Sequence, residues 1–285
     1  MKKEEVMLML IPPKIAPIPI DEDGALIDIR AIAQQTVLDV ADSTNATGYR
    51  ALKQTTHARL GLGRVGTRYT TRSVLRLRAD HAAAKDAVWS DVAPAFIDKM
   101  GFISIQSTCQ TETEYLKRPD HGRAITAPML DKVRHAYPKP PRVLIAVGDG
   151  LSSAAIEANV RETIPVIKRE LAHHHIKVGP IPFIRYARVA TEDYLGEALR
   201  ADVVCLLIGE RPGLVTAKSM SAYMAYRPTV GMPESRRTVI SNIHPDGIPA
   251  TKAGTAIAAV IVQMLTEKTS GLELGSRQLK LNTLA

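Results

Sequence analysis

The chain is poor in cysteine, in aromatic residues and in long apolar runs, and each shortage removes a class of protein. Cys109 and Cys205 are the only cysteines; two separated thiols make neither a disulfide scaffold nor a metal-ligand pattern, and they point to a reducing cytosol. Aromatic residues make up 4% of the chain, too few to build the stacking platforms that single-strand nucleic-acid readers use. No apolar run approaches the roughly 20 residues that cross a bilayer, and the N-terminal stretch 1–14 mixes acids into a short run broken by Pro12 and Pro13, which reads as a soluble chain without a cleaved signal.

What is present is enough for a packed core: 285 residues, 45% of them apolar, suit one large domain or two smaller ones. The net charge of +8 favours acidic partners. Arg59, Arg64, Arg68, Arg72, Arg76 and Arg78 are dense, but Asp80, Asp86 and Asp91 follow them. Docking to a larger acidic protein explains the excess without nucleic acid.

From Arg142 to Val260 one pattern repeats: an apolar, β-branched run that ends abruptly in glycine or charge, with helical stretches between several runs. Val143–Val147 ends in Gly148-Asp149-Gly150, Ile181–Ile184 in Arg185–Val189, Val203–Ile208 in Gly209-Glu210-Arg211, and Thr238–Ile240 in Ser241–Gly247. Continuous apolar runs are strands buried on both faces, as in a mostly parallel sheet covered by helices. Ligands bind at the carboxyl ends of such strands, so Asp149, Val189, Glu210 and Ser241 are expected around one crevice. Helices are expected at about 152–174, 191–200 and 251–268, with Pro138–Pro141 as a domain boundary. The expected division is a variable segment 1–55, a helical domain 56–137, a Rossmann-like domain 142–270 and a tail 271–285. Within the first segment an amphipathic helix is expected from Leu26 to Ala41.

Several motifs invite sharper readings. Gly61-Leu-Gly-Arg-Val-Gly66 has dinucleotide-fingerprint spacing, but no strand precedes it and the next helix starts late, so it reads as a loop. Thr70 or Thr71 caps a helix from Arg72, with Val74, Leu77, His81, Ala84 and Val88 on one apolar stripe. Tyr115–Arg123 reads as a polar connection. Gly148–Ser153 could hold an anion at a helix N-terminus, yet Asp149 repels phosphate and a capped turn is as good a reading. Successive residues of His173-His174-His175 point about 100° apart and cannot converge on a metal. His244, in Asn242-Ile-His-Pro-Asp-Gly247, sits where one class of cobalamin proteins carries a cobalt-ligating histidine. Asn242 replaces the carboxylate that would polarise it, so His244 reads as a loop residue near the crevice.

The wording of six separated segments carries more. Residues 60–88 (LGLGRVGTRYTTRSVLRLRADHAAAKDAV), 115–123 (YLKRPDHGR), 147–159 (VGDGLSSAAIEAN), 183–197 (FIRYARVATEDYLGE), 207–226 (LIGERPGLVTAKSMSAYMAY) and 237–262 (RTVISNIHPDGIPATKAGTAIAAVIV) closely resemble the small subunit of ethanolamine ammonia-lyase. The resemblance implies an α/β fold, with a helical N-terminal region before a Rossmann-like domain. It implies adenosylcobalamin held against a larger barrel subunit in a hetero-oligomer, in the cytosol or inside a bacterial microcompartment. The large subunit would carry the radical chemistry, so no catalytic residue and no metal ligand is expected in this chain. Carried over by motif, the corrinoid would touch Val189, Glu210 and Val239, with Arg188 and Asn242 as second contacts. Many relatives have cysteine where Val239 stands. Glu210 would accept from corrin amides, or else pair with Arg211 or Arg188. The alternative is a self-sufficient Rossmann-like nucleotide-binding enzyme with Asp149 and Glu210 as its acid–base pair.

Overall fold

The structure, a computed structural model, describes residues 28–31, 37–40 and 42–276. The chain forms two compact units that divide between Asp80 and His81.

In the first unit, Asn45 caps helix α1 (Ala46–Thr55), its Oδ1 accepting from Gly48 N–H at 2.9 Å. The fingerprint-like glycines lead into a hairpin of β1 (Arg64–Val65) and β2 (Arg68–Tyr69), turned at Gly66–Thr67, so this segment is a turn and not a nucleotide loop. Helix α2 (Thr71–Val88) follows, with Ser73 N–H donating to Thr70 Oγ1 at 3.3 Å. The expected apolar stripe is not the buried one: Leu77 and His81 are exposed, while Ser73 and Asp80 are buried. Asp80 is buried because Arg59, Arg76 and Arg30 surround its carboxylate at 2.9, 3.0 and 3.4 Å. The expected helix from Leu26 to Ala41 lies largely outside the described residues; within it, residues 28–31 make a turn and residues 37–40 are not helical.

The second unit opens with α3 (Pro94–Met100), β3 (Ile103–Gln106), α4 (Glu112–Lys117), a 3-10 turn (His121–Arg123) and α5 (Ala127–Arg134). It continues with β4 (Val143–Gly148), α6 (Ser153–His173), β5 (Pro182–Arg185), α7 (Thr191–Leu199), β6 (Val203–Gly209), β7 (Met220–Tyr226), a second 3-10 turn (Glu234–Arg236), β8 (Thr238–Ile243) and α8 (Ala250–Glu267). The strands form one six-stranded sheet in the order β3-β5-β4-β6-β7-β8. β3, β5, β4 and β6 are parallel; β7 runs antiparallel to both β6 and β8. Residues 81–137 belong to this unit and supply its edge strand β3, so Pro138–Pro141 runs within the unit.

Burial explains why β4 and β6 read as unbroken apolar runs: every residue of both is buried. On one face, Ile156, Ile164, Ile167 and Leu171 of α6 and Ile257 and Ile261 of α8 pack on Ile145, Val147, Cys205 and Leu207. On the other, Val133 of α5 and Leu195 and Leu199 of α7 cover Leu144, Ala146, Val204 and Leu206. Each fully buried Leu or Ile contributes about 1.5–3 kcal/mol. Among the described residues no helix is long and apolar enough to cross a membrane.

Candidate cofactor-binding crevice

Topology places the crevice. The chain leaves β4 through α6 towards β5 on one side, and leaves β6 towards β7 on the other. Connections that part in this way open a cleft beyond the carboxyl ends of the two strands. A cavity of about 200 Å³ lies there, lined by Gly150 and Leu151 after β4, Ala187, Arg188 and Val189 after β5, Ile208, Gly209, Glu210 and Arg211 at the end of β6, Ser221 and Tyr223 of β7, and Tyr115.

Its floor depends on close backbone approach. Gly150 has φ +61°, and a Cβ there would lie 2.2 Å from Gly209 O. Leu151 N–H donates to that same oxygen at 3.1 Å, which locks the two strand ends together. The Gly148–Ser153 segment is a capped turn: Ser152 Oγ accepts from Ala155 N–H at 3.2 Å.

Asp149 stitches the third strand end to this floor. Its carboxylate accepts from Tyr186 N–H at 2.6 Å and Ala187 N–H at 2.9 Å. Burial pushes its pKa up to about 7, against the pull of those backbone bonds. Asp149 lines a different cavity, of about 230 Å³, beside Asp91, Asp98 and Arg185. Nothing in the geometry therefore joins Asp149 and Glu210 as an acid–base pair.

Glu210 is built into the wall. Its Oε1 accepts from Ser221 Oγ at 2.6 Å and from the Asn242 N–H at 2.9 Å. Burial opposes its ionisation, but the hydrogen bonds from Ser221 and the Asn242 N–H outweigh it and hold the carboxyl below its ordinary pKa. Its partners come from β7 and β8; among the described residues no ion pair joins it to Arg188 or Arg211. Arg188 is gripped from the other side: its Nη2 donates to Tyr115 O at 3.0 Å, its guanidinium lies 4.2 Å from the Tyr115 ring centroid, and its buried Nε has no partner.

Arg188, Val189 and Glu210 thus share one cavity. Val239 and Asn242 adjoin it on β8: Val239, 42% exposed, lies opposite Tyr223 in the sheet register, and the Asn242 backbone supports Glu210. Asn242 itself has φ +65°, and its Oδ1 contacts His244 Nε2 at 3.1 Å; His244 is buried. Ser241 is exposed on β8 and does not line the cavity. A second, larger cavity of about 450 Å³ shares Leu151, Arg188 and Arg211 with the first and adds His81, Lys85, Trp89, Leu116 and Leu214. Sequence reasoning missed Tyr115, whose hydroxyl donates to Ala187 O at 2.8 Å. An aromatic opening an otherwise polar segment was the available signal.

The family described as ethanolamine ammonia-lyase light chain matches residues 46–275. The ethanolamine ammonia-lyase small subunit of Clostridium perfringens is 51% identical over 255 residues, covering 90% of this chain and 86% of that protein. That of Clostridium tetani is 50% identical over 258 residues (90% and 87%), and one from Listeria monocytogenes is 49% identical over 252 residues (88% and 86%). A match of this extent leaves one reading of descent: the chain belongs to the ethanolamine ammonia-lyase light-chain family.

Proposed function

We infer that the chain is the small subunit of an adenosylcobalamin-dependent ethanolamine ammonia-lyase, which converts ethanolamine to acetaldehyde and ammonia together with a large catalytic subunit. The observation that carries this reading is the family match over residues 46–275, and the crevice between the ends of β4 and β6, where Arg188, Val189 and Glu210 meet, supports its cofactor-binding part.

The residues present suit the cofactor's chemistry. Corrin side chains end in amides, whose N–H groups need acceptors; Glu210, held ionised, is acceptor-only. The nucleotide tail carries a phosphodiester, and Lys85, Arg188 and Arg211 give the adjoining cavity positive charge. Val189, Tyr223 and the exposed Val239 offer an apolar surface to the macrocycle. A cofactor of this size overfills either cavity, so its remaining surface is left for the large subunit to cover.

When bound, adenosylcobalamin supplies the radical by homolysis of its cobalt–carbon bond. This chain orients and shields. Glu210 would accept from the corrin amides, Arg188 and Arg211 would hold the phosphodiester, and Tyr115 and Asp149 hold the Tyr186–Val189 loop in place. No side chain here is assigned a catalytic proton transfer.

Co-expression with the matching large subunit tests this reading. Acetaldehyde formation that requires both adenosylcobalamin and this chain is expected. A stable chain that never joins the large subunit and turns over substrate alone would overturn it.

A further inference from the structure

One guanidinium joins the two segments that flank the crevice. Arg237 stands two residues before Val239, and its side chain is 2% exposed. Its Nε meets Glu192 Oε1 at 2.6 Å, its Nη2 meets Asp193 Oδ2 at 2.6 Å, and its Nη1 meets Glu234 Oε2 at 2.7 Å. Glu192 and Asp193 form the first turn of α7. The backbone of that turn is bonded directly to crevice residues: Thr191 N–H donates to Arg188 O at 2.9 Å and Glu192 N–H to Val189 O at 3.1 Å. A short, rigid path therefore runs from Val189 through α7 and Arg237 to Val239.

This arrangement is a poor device for stability alone. Desolvating charged groups offsets most of their attraction, and apolar side chains of similar volume usually serve a core as well or better. Here, moreover, Glu192 Oε2 and Asp193 Oδ1 are buried without partners. A planar fork does supply what apolar packing does not, a fixed angle and separation between the elements it joins.

We propose that Arg237 is a positioning residue for the crevice: by pinning the first turn of α7 to the start of β8, it sets the separation at which Val189 and Val239 meet the corrinoid. The proposal rests on the crevice being the cobalamin site, and it concerns residues that do not themselves line the cavity.

Two variants test it in the complex with the large subunit. Arg237→Lys keeps the charge and loses the fork. Arg237→Met combined with Glu192→Met and Asp193→Leu replaces the buried charged groups with apolar side chains of similar volume. The readouts are the apparent KM for adenosylcobalamin, kcat at saturating cofactor, and the thermal midpoint. Both variants are expected to raise that KM by about tenfold, the size of loss seen when groups that orient contacting residues are removed. The loss sits in KM rather than kcat, and the triple variant keeps its thermal midpoint. An unchanged KM in Arg237→Lys, or in a folded triple variant, overturns the proposal and leaves the cluster a structural one. Glu210→Gln, run alongside, separates the two claims: if it too leaves the KM unmoved, the crevice assignment has failed rather than the role of Arg237.

Discussion

Replacing Gly150 by alanine isolates the contact on which the crevice floor depends. Two costs add. The φ of +61° places an alanine in the left-handed region, worth about 1–2 kcal/mol. The new Cβ would also lie 2.2 Å from Gly209 O and 2.7 Å from Ile208 Cγ1. Gly209 O cannot turn away without losing its bond from Leu151 N–H, so the strand ends must part, at a further cost of about 1–3 kcal/mol. The sum is roughly 2–5 kcal/mol. Gly101 in the same unit is the control, with φ +65° and nothing within 4 Å of its notional Cβ. Alanine there should cost only the conformational part, about 1–2 kcal/mol. Urea unfolding followed by circular dichroism measures both. If Gly150→Ala costs no more than Gly101→Ala, the strand ends are not pressed together as described, and the crevice has lost its floor.

Other consequences follow from the buried charges. Asp80→Ala removes the carboxylate that the partly exposed Arg59 and Arg76 share and should destabilise the chain by about 1–3 kcal/mol in the same assay; a loss under about 0.5 kcal/mol, within the range of exposed pairs, would mean the cluster is effectively solvated. Burial, opposed by Arg237, pushes the Glu192 carboxyl above its ordinary range, so the folded chain holds its proton to higher pH than the unfolded chain, which releases it above about 4.3. That contribution to stability is full at low pH and is lost as pH rises above about 4.3. In that range Glu192→Gln should therefore flatten the fall of the urea midpoint with pH, by up to about 1.4 kcal/mol per unit; an unaltered slope would show that Glu192 does not hold its proton more tightly in the folded chain. Asp149→Asn offers one acceptor oxygen where Tyr186 N–H and Ala187 N–H need two, and turns an amide donor towards one of them. It should cost about 1–3 kcal/mol and loosen the Arg188–Val189 loop, read as weaker cobalamin binding in the complex; unchanged binding would detach Asp149 from the crevice.

The sheet was legible in sequence because β4 and β6 are buried on both faces, which leaves an unbroken apolar run that turns and charges then punctuate. The direction of β7 was not, since the side-chain period of a strand is the same whichever way it runs. β3 escaped notice because Ile103-Ser-Ile-Gln106 is a four-residue edge strand without a long apolar signature. On α2 the hydrophobic stripe misled: pairing with Arg59, 21 positions away, buries Asp80 and leaves Leu77 exposed, and no local pattern records such a partner. Glu210 was legible by motif as a crevice residue, but its supports were not. Ser221 and the Asn242 N–H reach it only because β7 folds back beside β6 and β8 beside β7.

The most direct test of the central claim is an equilibrium titration of adenosylcobalamin into the assembled large and small subunits, read by the absorbance of the bound cofactor. The wild-type chain would be compared with Glu210→Gln and with the large subunit alone. The account predicts tight binding that needs this chain, and weaker binding by about tenfold for Glu210→Gln, as expected when a charged acceptor becomes a neutral one. Binding of equal strength to the large subunit alone, or indifference to Glu210, would contradict it.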